Sequence, residues 1–178
     1  MFKETSKELL DFLSKSPTAF HAVENYRQIL NADGFKELLE SEHWDIVPGG
    51  KYYVTRNNTS ILAFKVGTKL DNYSFNIVTS HTDSPTFKVK ENAEIEVKNK
   101  YTQLNTEGYG GMLCATWLDR PLSIAGRVLV SEGNSIVTKL LNIDRDLLMI
   151  PNVAIHMNRA ANDGFKSVSY THLTLPTT

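Results

Sequence analysis

An imidazole and a carboxylate stand two residues apart in Ser80-His81-Thr82-Asp83-Ser84-Pro85, directly after the apolar run Phe75-Asn76-Ile77-Val78-Thr79. The run is β-branched and aromatic, which predicts a strand. In extended backbone, side chains at i and i+2 leave the same side, so His81 and Asp83 are expected together at a strand end. A neutral imidazole there offers one ring nitrogen to a divalent metal, and a carboxylate beside a ligating histidine fixes its tautomer and raises its basicity. Pro85, which has no N–H and a fixed φ, stops the strand. The competing reading is a solvated turn with one local hydrogen bond, because two residues do not make a zinc site.

The elements that position these residues come from an ordinary globular composition. The chain has 178 residues, 41% of them hydrophobic and 22% charged, enough for one domain or two small ones. A formal net charge of −1 gives no electrostatic reason to expect nucleic acid or an anionic membrane as partner. No run reaches the roughly 20 apolar residues that span a bilayer. Residues 1–14 are amphipathic and charged, without the apolar core of a signal peptide. The single cysteine, Cys114, excludes an internal disulfide, reads as a packing residue, and points to a reducing, cytoplasmic compartment.

The first third reads as helix, helix, hairpin. Leu9, Leu10, Phe12 and Leu13 form a helical stripe, and Ser16-Pro17-Thr18 breaks it and supplies a cap for a second helix. That helix carries Phe20, Val23, Ile29 and Leu30 and ends at Asp33-Gly34, where glycine can take the left-handed conformation. His21, on this helix, reads as a surface or packing residue rather than a ligand. Residues 51–56 and 59–66 are expected as two strands joined through Asn57-Asn58, a hairpin signal. Beyond Pro85 come short β-branched or alternating segments at 87–90, 93–98, 124–131 and 135–141. With the glycines at 108, 110, 111 and 133 they predict a β-rich unit, a sandwich or open barrel, starting near Thr86.

Several motifs can then be read together: Ser-Pro-Thr-Ala-Phe-His-Ala-Val at 16–23, Lys-Tyr-Tyr-Val-Thr-Arg-Asn at 51–57, Ser-His-Thr-Asp-Ser-Pro at 80–85 with Phe-Lys-Val-Lys at 87–90, Tyr-Gly-Gly-Met at 109–112, Thr-Trp-Leu-Asp-Arg-Pro-Leu-Ser-Ile-Ala-Gly-Arg-Val at 116–128, and Ile-Pro-Asn-Val-Ala-Ile-His-Met-Asn-Arg at 150–159. In order and spacing they closely resemble the aspartyl aminopeptidase family of zinc metallopeptidases, also called M18, over residues 3–166. Each motif alone is weak; the set is specific.

The resemblance implies an α/β fold: residues 1–86 as the first half of a metallopeptidase α/β domain, followed by a β-rich inserted dimerisation domain at 87–166, with the chain truncated after it. It implies a cocatalytic two-zinc aminopeptidase that removes amino-terminal, preferably acidic, residues from peptides. His81 matches a zinc ligand, and Asp83 the neighbouring orienting carboxylate of the catalytic group. His156 matches a histidine that reaches a neighbouring subunit's active site to contact substrate, which makes a homo-oligomer the expected state. From its own sequence, Ala154-Ile155-His156-Met157 reads as a strand with a structural histidine. Asp119 and Arg120, at a turn before Pro121, read as local hydrogen-bonding residues. The family's other zinc ligands and its general-base glutamate have no matching positions here, so the chain is expected to be an amino-terminal fragment, inactive alone. Residues 167–178 leave the family pattern and read as a non-native tail. Two other hypotheses remain: a non-catalytic oligomerisation module, and a mononuclear His-x-Asp protein unrelated to peptidases.

Overall fold

The computed structural model describes residues 2–71, 74–97, 100–160, 162 and 163, together with the backbone of 172–174. The chain divides into two compact units, Met1–Asp83 with Ala125–Leu141, and Ser84–Ile124 with Asn142–Thr178.

The first unit begins with helices α1 (Phe2–Ser14) and α2 (Ala19–Ala32). The stripe on α1 brings the Phe12 ring to 4.7 Å from that of Tyr26 on α2. Thr18 caps α2: its backbone is extended and its hydroxyl accepts from the His21 N–H at 3.4 Å. Such a cap is worth about 1 kcal/mol. At the other end Gly34 has φ +78°. Phe35 N–H donates to Leu30 O and Gly34 N–H to Asn31 O, the paired bonds of a Schellman stop that satisfy the last helical carbonyls.

A three-stranded sheet follows in the order β1-β2-β3 (Lys36–Glu37, Lys51–Arg56, Ser60–Lys65). Strand β1 is parallel to β2, and β2 is antiparallel to β3 with Tyr52 opposite Phe64. Asn57 and Asn58 both have positive φ, 52° and 55°, and Thr59 N–H closes the turn onto Arg56 O. Asparagine tolerates this left-handed pair, the geometry that matches strand twist. The loop has three residues rather than two, because Thr59 lies outside β3. Beneath the sheet Tyr53 is buried, its hydroxyl donating to Asn31 Oδ1 at 3.0 Å. Glu37 accepts from Arg27 at 2.7 Å and from Thr55 at 3.3 Å. Leu38, Tyr52 and Val54 form the apolar core, with Trp44, Phe64 and Val66 around it.

Three expectations need correction in this unit and at its boundary. Phe75–Thr79 belongs to no strand; Ile77 and Val78 are 77% and 98% exposed. A strand is defined by ladder hydrogen bonds to a neighbour, and among the described residues no ladder includes this run. The hairpin of β6 (Ala125–Glu132) and β7 (Ser135–Asn142), which the sequence reading placed in the β-rich insertion, groups up to Leu141 with the first unit. The Arg127 guanidinium lies 4.4 Å from the Phe20 ring centroid and donates to Asn57 O and Oδ1 at 3.3 and 3.2 Å. These contacts, a cation on an aromatic face and an arginine fork on a turn, are tertiary and leave no periodic signal. Finally, 87–90 and 93–98 are not separate strands; β4 runs Thr86–Val97 with a register shift between Val89 and Glu94.

In the second unit β4 pairs with β5 (Tyr101–Tyr109), and β5 with β8 (His172–Thr174). Strand β5 has no expected counterpart, since Tyr-Thr-Gln-Leu-Asn-Thr-Glu-Gly-Tyr is largely polar. Its inward Leu104 and Thr106 are nevertheless buried. Strand β8 lies within the stretch expected as a non-native tail; 164–171 and 175–178 lie outside the described residues. The core is Leu104, Leu148 and Ile150, packed by Phe87, Trp117, Leu118, Leu122, Ile124 and Leu147. Phe87 and Trp117 meet edge to face at 5.4 Å, a favourable aromatic arrangement.

Burial holds the pKa of His21 below its ordinary 6.5, and its Nδ1 lies 2.8 Å from the Thr18 hydroxyl. The fold therefore binds this proton more weakly than the unfolded chain does. That penalty is absent above the ordinary value and costs stability as pH falls below it. The denaturation midpoint should drop further between about pH 7.5 and about pH 5 in the wild type than in His21→Gln; equal drops would contradict the assignment.

Candidate metal centre

Residues 80–85 form an irregular loop held at Thr82, whose hydroxyl donates to Thr59 O at 2.8 Å. The loop is therefore tied to the hairpin turn of β2 and β3 in the same unit. Nothing in the sequence marks Thr82 beyond its place between the two candidate ligand-type residues.

His81 and Asp83 are brought together, though by a loop rather than a strand end. Nδ1 of His81 lies 2.8 Å from the Asp83 backbone oxygen and 3.2 Å from Asp83 Oδ1. The shorter contact is thus the main-chain carbonyl, where the sequence pointed to the carboxylate. A carbonyl oxygen can only accept, so Nδ1 carries the proton in this arrangement, and in the neutral ring Nε2 keeps its lone pair. The His81 side chain is 82% exposed, so Nε2 is open to solvent. An N–H donated to a backbone oxygen from the nitrogen opposite the metal is the usual way a zinc-bound histidine is oriented.

These residues fit one corner of a zinc site. Among the described residues no group of three or more His, Cys, Asp and Glu side chains converges, whereas zinc takes four ligands, or three and a water. His81 can supply one nitrogen, with Asp83 beside it.

His156 lies in the second unit, exposed on a turn closed by Met157 N–H and Asn158 N–H to Ala154 O. The strand expected around it is absent: the 152–157 run follows Pro151 and joins no ladder among the described residues. In the same unit Asp119 Oδ1 accepts from Asn152 N–H at 2.8 Å, and Arg120 donates to Thr116 O at 3.4 Å. The Arg120 bond is local, as the sequence suggests, whereas the Asp119 side chain bonds a residue 33 positions away. Among the described residues no helix is long and apolar enough to cross a membrane.

The sequence profile of the aminopeptidase I zinc metalloproteases (M18) matches residues 12–175, nine residues past the point where the sequence reading ended the resemblance. The chain belongs to this family of zinc aminopeptidases. It is 50% identical over 164 residues to a probable M18 family aminopeptidase 2 of Clostridium novyi, covering 90% of this chain and 38% of that protein. It is 46% identical over 171 residues to an aspartyl aminopeptidase of Dictyostelium discoideum, covering 94% of this chain and 35% of that protein. Among solved structures, the Ape4 and Nbr1 complex matches with a TM-score of 0.90 at 39% identity, over 97% of this chain and 34% of that one. The S. cerevisiae mApe1 dodecamer matches with a TM-score of 0.78 at 28% identity, over 99% of this chain and 39% of that one. The mixed helix and sheet fold is thus an M18 fold, and the chain spans somewhat over a third of the length of these relatives.

The tautomer can be checked directly. In long-range ¹H–¹⁵N correlations at about pH 8, above the ordinary imidazole range, His81 should show a protonated Nδ1 and a bare Nε2. A population dominated by Nε2–H would contradict the arrangement.

Proposed function

We propose that this chain is the amino-terminal part of a zinc aminopeptidase that removes acidic residues from the amino terminus of peptides. The observation that carries this reading is the His81 ring, its Nδ1–H held by the Asp83 carbonyl and its Nε2 exposed, in a chain of a zinc peptidase family. His81 is a zinc ligand and Asp83 orients it. When bound, zinc, as two ions in the complete enzyme, supplies Lewis-acid polarisation of the scissile carbonyl and an acidified water. The chain's own residues hold the ring in one tautomer and tie its loop to the β2–β3 turn through Thr82. The likeness to an aspartyl aminopeptidase supports the acidic preference.

His156 contacts substrate from a neighbouring subunit, and the β-rich stretch 87–166, less the β6–β7 hairpin that groups with the first unit, carries the subunit contact. The likeness to a dodecamer supports a homo-oligomer. Completing the metal site takes further donors and a general base that the described residues do not bring together around His81. Alone, then, the chain binds zinc weakly and turns nothing over.

In the complete peptidase, His81→Ala should abolish hydrolysis of peptides with an amino-terminal aspartate and lower the zinc content. Metal analysis and a peptide assay on the same preparation check both. Full zinc stoichiometry in the variant would refute the ligand assignment, and a preference for apolar amino-terminal residues in the wild type would refute the substrate class.

A further inference from the structure

The motif around Asp119 is not used by the chemistry above, yet its geometry leads towards His156. Asp119 has φ +53°, the left-handed region that few residues other than glycine and asparagine or aspartate enter. Its N–H donates to Ile150 O at 3.0 Å, and its Oδ1 accepts from Asn152 N–H at 2.8 Å. Both ends of one residue therefore grip the same short stretch. Asn152 continues the chain of contacts, its own Oδ1 accepting from Val153 N–H at 2.9 Å.

Behind this clamp the backbone is fixed on both sides. Leu118 bridges Ile150 in parallel and Leu122 bridges Leu148 in antiparallel fashion, and Leu148 and Ile150 are buried in the core of this unit. Ahead of it the chain leaves the core and reaches the exposed turn that carries His156, four residues after Asn152. Glycine would meet the demand on φ at position 119 with less strain, but it has no side-chain oxygen for the Asn152 N–H. A side-chain oxygen at that reach is what the position requires.

We propose that Asp119 is a positioning residue for His156, fixing the point from which the 152–158 segment projects and so the place where the imidazole meets substrate. This rests on the reading of His156 as a substrate contact.

The test is a double-mutant cycle in the complete peptidase with a peptide bearing an amino-terminal aspartate. Asp119→Gly, which keeps the backbone conformation and removes the acceptor, should raise KM about tenfold, the scale of one lost hydrogen bond to a charged group, with kcat changed far less. Asp119→Asn, which keeps a side-chain oxygen, should restore most of the loss. Amide exchange at Asn152 should lose protection in Asp119→Gly. In a His156→Ala background the Asp119→Gly change should add nothing further to KM, because the group it positions is gone. Fully additive effects on KM, or unchanged protection at Asn152, would overturn the proposal. An unchanged KM in His156→Ala alone would instead overturn the reading of His156 on which it rests.

Discussion

The hydrogen bond from His81 Nδ1 to the Asp83 carbonyl decides which nitrogen of the ring is available. A histidine is a ligand only through a bare nitrogen, and a neutral ring has one. Closing Nδ1 onto the main chain two residues away leaves Nε2, the atom farthest from the backbone, to face outward. The backbone oxygen is a better lock than the carboxylate would be, since it neither titrates nor rotates away. Thr82, between the two residues, adds the second constraint by anchoring the loop to Thr59. A mobile loop would lose the pre-orientation that a metal site needs.

The apolar segment before this loop shows the opposite situation. Phe75–Thr79 has the residues of a buried strand, but strand formation is a property of a pair of segments, and Ile77 and Val78 stand in solvent. The relatives carry well over half of their length outside the region this chain matches. An exposed apolar segment of this kind has the composition that pairs with another extended chain when it meets one.

Local chemistry was legible in the sequence wherever it is local in the fold. Thr18 caps α2, Gly34 ends it, and Asn57 and Asn58 make the turn of the first hairpin, each because a backbone conformation or an orphan N–H demands that residue type. What was not legible depends on partners far away in the chain. Strand β5 is polar by composition and is held by β4. The β6–β7 hairpin joins the first unit through Arg127 on Phe20 and on Asn57, the nearer of the two 70 residues away in sequence. At the candidate site the pair His81 and Asp83 was legible from its spacing. The switch from carboxylate to carbonyl was not, because it depends on the loop turning back on itself after the expected strand fails to form. Asp119 reads in the sequence as a local hydrogen-bonding residue, but its side chain holds Asn152, 33 residues away, a contact that leaves no local signal.

The most direct test of the account is the position of the metal. Crystals of the complete peptidase, measured across the zinc absorption edge, should place an anomalous peak about 2.0–2.1 Å from Nε2 of His81, the ordinary zinc–imidazole distance, with Nδ1 still on the Asp83 carbonyl. Zinc bound at Nδ1, or zinc present with the His81 ring turned away from it, would contradict the account.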